Sequence, residues 1–526
     1  MTMAREQQRK QRGERGRRRR ARHEQPRQNV VPAGLPGGWY KPLREADLRR
    51  IHEASLTVLE QTGIQVMPSE CREIFKRAGA TVDETANRVY IPRKMVEEAL
   101  ALAPNSVRLC GRDPRHDMQL GGTRVYMGTG GAAVKAIDLH SGHVRETTLA
   151  DVAQIGRLVD ALDNVHFYLR ACVARDIPPE LLDTNTYYAA AVNTTKHVTV
   201  NCFSVESFQN VVEIAALIAG GREALRERPI FSITACWTVS PLRYAPETVE
   251  VLTEVVRQDV PVFLSSAPQA GATSPAALAG TLVQINAEEL SGVVYTQLVK
   301  PGAPIVLGYV PSVADLRTGS FVGGAPEFAL MHAASAQLGQ FYGLPVYNSS
   351  GLADSKLPDI QAGYEKGISG LAAALAGANY IHHSAGFLES MLTVAYEQYV
   401  IDDDINGSIM RAVRGIEVTD ETLSVDVIDQ VCRGEGHYLG SAQSLELMHS
   451  EYYYPHTGNR QQREDWEAAG GLDMRERARR TAQHLLKTHH PQPIPPDVDA
   501  AIRERFDILL PPELSNNKSH VSLMDK

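Results

Sequence analysis

Eight short apolar runs recur along the middle of the chain, separated by helix-length stretches in which polar and apolar positions mix. They begin with VYMG at Val125, FYLRACV at Phe167, VTVNCF at Val198 and IFSITAC at Ile230. VFLSSA at Val262, IVLGYV at Ile305, VYNSS at Val346 and YIHHSAG at Tyr380 complete the series. Each is rich in β-branched or aromatic side chains and gives way to Gly, Ser, Asn or Cys, the way buried parallel strands leave a core. Between them lie amphipathic segments such as VESFQNVVEIAALIAG and PETVEVLTEVVRQ. Run starts fall roughly 30–45 residues apart, the length of a βα unit with its return loop. The pattern predicts an α/β fold of the (β/α)8 (TIM) barrel type. A doubly wound open sheet competes, but no GxGxxG follows an early strand. GTGGA at Gly128–Ala132 leads into VKAIDLHSGHV, which reads as strand and hairpin, so it is assigned to a tight turn on the barrel rim.

The flanks have other patterns. ADLRRIHEASLTVLEQTG places Leu48, Ile51, Leu56 and Leu59 near one helical face and ends at Gly63; SECREIFKRAG ends at Gly79, and PRKMVEEALALA starts at Pro92. RVYIP between them reads as a short strand. The expected organisation is therefore a basic tail without a core over 1–38, an α-rich cap over 39–120 and the barrel over 121–400. A C-terminal helical subdomain over 401–515 and a frayed tail over 516–526 follow.

Composition narrows the function classes. The 526 residues are 43% hydrophobic and 22% charged, ordinary for a globular protein, and the net charge of -8 argues against nucleic-acid binding by the folded part. The tail MTMAREQQRKQRGERGRRRRARHEQPRQ holds almost no aliphatic residues and cannot bury enough surface to fold. It reads as a solvated tail or as an arm for nucleic acid or anionic membrane. Arg17–Arg20 are not followed by an apolar segment, so no export signal is expected. No run approaches the roughly 20 apolar residues of a membrane span. Six cysteines without a CxxC pair point to a reducing, cytoplasmic setting.

Barrel chemistry is built where the strands end. The third run supplies Asn201 and Phe203, the fourth Trp237 and Ser240, the fifth Ser265, Ser266 and Gln269, and the sixth Tyr309. The seventh supplies Ser349, Ser350, Gly351, Asp354 and Lys356, and the eighth His382, His383 and Glu389. Asp354 and Lys356 fall in a loop capping the cavity, or pair with each other, or cap the next helix. His382 and His383 alternate on a strand, so at most one faces the cavity. Phe203, Trp237, Tyr309 and Phe387 are candidates for an aromatic cage around a methylated ammonium, with core packing as the alternative for each. Cys172, Cys202 and Cys236, near the ends of consecutive strands, form a candidate zinc-thiolate set, with burial as plain core cysteines the alternative. No GxSxG elbow supports serine nucleophilic catalysis.

Taken together, LEQTGIQV (Leu59–Val66), YMGTGGAAV, GSFVGGAPEFAL, SSGLADSKLPDIQAGYEKG and GANYIHHSAGFLESMLTVAYEQYVIDDDI make the sequence similar to the corrinoid-dependent trimethylamine methyltransferase family. The resemblance covers roughly residues 40–510. It implies a barrel that moves a methyl group from a methylated amine to the cobalt(I) corrinoid of a small partner protein, binding no cofactor of its own. In archaeal members a pyrrolysine lies in the segment matching SSGLADSK, at or next to Leu352, where this chain has an ordinary apolar residue. A neutral tertiary amine is a poor leaving group and needs activation, which the pyrrolysine ring is thought to provide. A quaternary ammonium already carries its charge and leaves as a neutral amine. The departure therefore directs attention to quaternary amines such as glycine betaine beside trimethylamine. The implied catalytic positions are Leu352, Asp354, His383 and Glu389. The implied substrate-binding positions are Asn201, Phe203, Trp237, Tyr309, Lys356 and Phe387, with Asn201, His383 or Lys356 available to a carboxylate. Homo-oligomerisation is also expected. A zinc-thiolate methyltransferase and a non-catalytic betaine-binding barrel remain the alternatives.

Overall fold

The computed structural model of the protein describes residues 29–515 apart from Ala132 and Glu435. The first 28 residues of the basic tail and the expected frayed tail over 516–526 lie outside the described residues. Each of the eight apolar runs holds a strand: β1 (Arg124–Met127), β2 (Phe167–Leu169), β3 (His197–Val200), β4 (Phe231–Ala235), β5 (Val262–Leu264), β6 (Ile305–Tyr309), β7 (Val346–Ser349) and β8 (Tyr380–His382). Neighbours from β2 through β8 pair in parallel in chain order, and β8 pairs in parallel with β1. The His166 N–H donates to Met127 O at 2.7 Å and the Thr129 N–H to Phe167 O at 3.4 Å, which joins β1 to β2 and closes the barrel. A helix follows every strand: α1 (Leu149–Asp160), α2 (Leu182–Asn193), α3 (Val205–Ala219), α4 (Pro246–Arg257), α5 (Leu278–Val299), α6 (Pro326–Tyr342), α7 (Ile360–Ala376) and α8 (Tyr396–Arg414).

Strand alternation divides the core into two layers. Phe167, Phe263, Val306, Tyr347 and Tyr380 point into the barrel and pack together there. Phe167 stacks on Tyr380 with ring centroids 3.5 Å apart, and Phe263 lies 4.4 Å from the same ring. Two short strands, Val107–Leu109 and Met118–Leu120, add their apolar side chains to this cluster and stop the barrel at its N-terminal end. The outward positions, such as Val198, Ile233, Val262, Ile305 and Val346, belong to the larger core beneath the helices. Burying each such side chain stabilises the fold by about 1.5–3 kcal/mol. The lower barrel is therefore solid, and only its C-terminal end is left for chemistry.

The N-terminal helices Glu45–Thr57, Ser69–Arg77 and Arg93–Leu102 form as the pattern predicts, and the first ends in a π-helical turn before Gly63. Their short strands Ile64–Gln65, Thr81–Asp83 and Arg88–Tyr90 share a sheet with Thr238–Val239 and Arg243–Tyr244 from the loop after β4. The chain forms two compact units, one of 33–415 with 455–515 and one of 416–454 with residues 29–32. The boundary expected at residue 400 falls inside α8, and helix Met474–Thr488 packs on α8 and α1 within the larger unit. The smaller unit carries the short helices Val425–Arg433 and Ala442–Leu447, and none of its described residues from 416 to 454 is buried. Among the described residues no helix is long and apolar enough to cross a membrane. All six cysteines are free thiols.

Candidate active site

The β7–β8 side of the mouth is built around two imidazoles. His382 still obeys strand alternation and stacks on the inward Tyr347 with centroids 4.1 Å apart. Its Nδ1 lies 2.8 Å from Asn348 O, and a carbonyl only accepts, so Nδ1 carries the proton and Nε2 accepts from the Tyr347 hydroxyl at 3.2 Å. His383 does not alternate away. It has left the strand with φ 64°, so its ring turns back to 3.9 Å from His382 and stands edge-on to Phe387 at 5.1 Å. The expectation that only one of the pair reaches the site fails for this reason. His383 Nδ1 sits 2.7 Å from Ser349 Oγ, and its Nε2 is buried without a partner. Gly130 and Gly131 of the β1 rim turn lie against these rings. A Cβ on Gly130 would stand 2.9 Å from the His382 Cβ, and one on Gly131 2.6 Å from His383 Nε2. Burial, reinforced by His383, holds the His382 imidazole well below its ordinary pKa, and burial beside Lys366 pushes His383 down to about 3. Both rings are neutral near neutral pH.

The acidic and basic residues of the β7–α7 loop are architectural. Asp354 accepts hydrogen bonds from the N–H groups of Gly323 and Gly324 at 2.9 and 3.1 Å and from the Ser390 hydroxyl, tying three loops together. Its own N–H donates to Glu365 Oε2 at 2.7 Å. Lys356 is exposed and donates to the Asp354 carbonyl at 2.7 Å. Leu352 is buried against Gly323. Glu389 accepts from the Thr393 hydroxyl at 2.7 Å. Glu389, Ser390 and Met391 all have positive φ (49°, 53° and 83°), a strained path for residues with side chains. It is held by the Glu389 N–H to Ser355 O at 2.9 Å and the Ser390 N–H to Ala353 O at 2.8 Å. Beneath the loop, Lys366 and Asp402 form a fully buried ion pair at 3.0 Å. Lys366 also donates to Gly351 O at 2.6 Å, and Asp402 accepts from the Gly386 N–H at 2.7 Å, so the pair anchors both loops that carry the motif. Burial pushes the Asp402 carboxyl up and the Lys366 ammonium down, and the opposite charge restrains each shift.

Across the mouth the expected aromatic cage does not assemble. Trp237 is wholly buried edge-on to Tyr244 at 4.7 Å and over Gly292 of α5. Tyr309 donates to Asn286 Oδ1 on α5 at 2.8 Å. Both point outward because their strand neighbours, Cys236 and Gly308, take the inward positions. Phe203 remains on the rim, 63% exposed, with the Arg170 guanidinium 5.7 Å over its ring. Asn201 is half-buried and donates to Thr234 O at 2.9 Å. Of the four cage candidates, Phe387 meets the imidazoles, Phe203 edges the mouth, and two belong to the core.

Sequence reading named Cys236 only as a candidate zinc ligand and did not single out Arg170, Thr234 or Glu289. Cys236 is accessible to solvent although protein surrounds it, and desolvation raises its thiol. Buried polar atoms without partners include Thr234 Oγ1, Glu289 Oε1, and Nε and Nη1 of Arg170. Glu289 holds the Gly308 N–H through Oε2 at 2.8 Å, and burial pushes its carboxyl well up. Glu289 and Arg170 carry no signal in the sequence beyond being charged in apolar surroundings. The three cysteines do not form a metal site. Cys172 and Cys202 are buried with thiols pushed well up, beside Asp151 and Asp183 respectively, while Cys236 alone opens to solvent. Among the described residues no group of three or more His, Cys, Asp or Glu is placed to hold a metal ion.

Fold and site thus define a (β/α)8 barrel with a polar mouth above a solid aromatic core. The family model described as "Trimethylamine methyltransferase (MTTB)" matches residues 8–507, and the chain belongs to this methyltransferase family. The trimethylamine methyltransferase MttB of Desulfitobacterium hafniense strain DCB-2 is 39% identical over 459 residues, 87% of this chain and 92% of that protein. The glycine betaine methyltransferase of D. hafniense strain Y51 is 33% identical over 465 residues, 88% of this chain and 96% of that protein. MttB of Methanosarcina thermophila is 37% identical over 462 residues, 86% and 94% of the two chains. Among solved structures, a dihydropteroate synthase of Xanthomonas albilineans is similar over 59% of this chain and 99% of its own, with TM-score 0.38 and 17% identity. The barrel assignment rests on the strand pairing itself.

Proposed function

We propose that the protein moves a methyl group from a methylated amine, either trimethylamine or a quaternary amine such as glycine betaine, to the cobalt(I) corrinoid of a partner protein in the cytoplasm. The observation that carries the reading is the pair of buried, neutral imidazoles meeting Phe387 at the mouth of a family barrel. Rings kept uncharged by burial do not repel a cationic nitrogen, and the aromatic face attracts it. For a quaternary substrate, cobalt(I) supplies the electron pair that forms the new bond to carbon. The C–N pair stays on nitrogen, which leaves as a neutral amine without needing a proton.

The chain's own work is then positioning and exclusion of water. The Lys366–Asp402 anchor and the Asp354 clasp hold the β7 and β8 loops that shape the pocket. Phe203, Leu316 and Leu392, on loops after β3, β6 and β8, are 63%, 71% and 53% exposed and offer an apolar rim to the partner's cofactor-bearing face. The test is incubation of the protein with a reduced corrinoid protein and trimethylamine, glycine betaine, proline betaine or carnitine, following methylcobalt by its visible spectrum. Methylcobalt formation from one of these donors is the expected result. None from any donor would overturn the reading.

A further inference from the structure

Residues 416–454 form an arm whose two ends are fastened to α8. The arm starts just past the last residue of that helix, Arg414. It ends where Asp404 of α8 accepts from the N–H groups of His456, Thr457 and Gly458 at 2.6, 2.7 and 2.9 Å. Between these points the chain carries eight carboxylates against one arginine, and four tyrosines. Arg433 is taken by Asp429 at 2.7 Å. Asp420, Glu421, Asp426 and Glu446 are exposed and make no ion pair among the described residues. Tyr438, Tyr452 and Tyr454 are 44%, 59% and 42% exposed. A segment so charged repels itself. Its acids and aromatic faces together suit arginine, which pairs with carboxylates and stacks on tyrosine.

The complementary segment lies in the same chain. Residues 1–28 hold eleven lysines and arginines against three glutamates. They join the described chain at Asn29, and residues 29–32 belong to the same compact unit as the arm. Val31 there is 3% exposed, so the root of the tail is packed. A few residues on, Trp39 Nε1 donates to Val413 O at 3.3 Å, which brings the start of the chain to the end of α8, where the arm begins. A coil of the tail's length spans about 30 Å, and a ligand tethered so acts at roughly millimolar effective concentration. We infer that the basic tail, residues 1–28, docks on the acidic, tyrosine-bearing arm 416–454 of its own chain. Guanidinium forks on the exposed carboxylates, and their planes on the three exposed tyrosines, supply the contacts. Opposite charges of nearly equal number cancel there, which leaves little basic field to hold a nucleic acid. Each exposed pair is weak alone, so the contact is collective and is screened by salt.

The experiment is zero-length carbodiimide coupling of the full chain, mixed in equal parts with isotope-labelled chain and read by peptide mass spectrometry. Lys10 and the terminal amine should couple to arm carboxylates within single copies at about 50 mM NaCl, and several-fold less at about 500 mM. Hydrogen exchange should follow the same course. Arm amides should exchange about 3- to 10-fold more slowly at low salt, the size several exposed ion pairs give together, with barrel amides unchanged. Asp420→Asn, Glu421→Gln, Asp426→Asn and Glu446→Gln, combined in one chain, should bring that protection down to its high-salt level. Arg17→Ser, Arg18→Ser, Arg19→Ser and Arg20→Ser, combined in another, should do the same and lower the coupling too. Should either variant not fold, the salt series on the wild-type chain decides. No coupling at low salt, or barrel amides that respond to salt as strongly as the arm's, overturns the inference. Coupling found only between labelled and unlabelled copies assigns the tail to a second chain and also overturns it. So does a full chain that binds a single-stranded oligonucleotide through its tail while the arm amides stay unprotected at low salt.

Discussion

On the β7–β8 side of the mouth Asp354, Lys366 and Asp402 are hydrogen-bonded or ion-paired within the protein; after β2 the Arg170 guanidinium lies over the Phe203 ring but leaves Nε and Nη1 without a hydrogen bond. The difference separates side chains that hold loop backbone in place from one that the fold leaves with donors to spare. Asp354, Glu365, Lys366 and Asp402 all find hydrogen-bond partners within the protein. They belong to the motifs most visible in the sequence, yet what they bind is loop backbone. Groups with capacity left over occur both inside the motifs, as at Ser350 Oγ, His383 Nε2 and Gln398 Oε1, and outside them, as at Arg170, Thr234 and Glu289. A buried polar group that the fold satisfies holds structure together, and one that it leaves without a partner lowers stability unless something else fills it.

The contrast is most sharply broken by removing its strongest internal pair. Lys366→Met strands the Asp402 carboxylate in the core and should destabilise the protein by about 3–5 kcal/mol. Lys366→Met with Asp402→Leu should recover much of that stability, read by urea denaturation of the two variants. An equal loss in single and double variants would show that the pair is not what anchors the loops. Next in size, Asp354→Asn removes a charged acceptor of three hydrogen bonds and should cost about 1.5–3 kcal/mol. Its KM for the methyl donor should change less than its midpoint of denaturation; a variant of normal stability and lost activity would place Asp354 in the chemistry instead.

Tyr309→Phe deletes one hydroxyl bond to Asn286, for about 0.5–1.5 kcal/mol, and should leave KM unchanged. Phe387→Ala should raise KM several-fold, because its ring faces His383 rather than a helix. If the two swapped behaviour, the outward assignment of Tyr309 would be wrong. The smallest effect is a pH dependence. Burial holds His166, His332 and His383 at about 3 and His197 at about 4, below the ordinary imidazole value. A depressed histidine pKa means the unfolded chain takes up protons first, so this stability is fully present above about pH 6.5 and drains away as pH falls toward those values. Asp403, pushed up to about 6, works in the opposite sense. Urea midpoints between pH 7.5 and 5 should therefore fall with pH, and His332→Leu, which removes a ring with no partner on either nitrogen, should flatten the slope.

The sequence by itself determined the barrel. Eight apolar runs at βα spacing leave few other ways to bury them, because parallel strands need helices on their outer face and must close or end in edges. It also drew attention to the rim after β7 and β8, where the quoted motifs lie. Which residues face the mouth was decided only by tertiary structure. A one-residue change of parity sends Trp237 and Tyr309 into the outer layer, and one left-handed residue brings His383 back beside His382. Short strands of three to five residues do not fix their parity from local sequence, since both faces are apolar. Whether a charge is satisfied is likewise a property of what folds around it: Lys366 meets Asp402 across 36 residues of chain, while Arg170 meets the Phe203 ring and leaves two donor nitrogens unfilled. Spacing along the sequence carries no record of either fact.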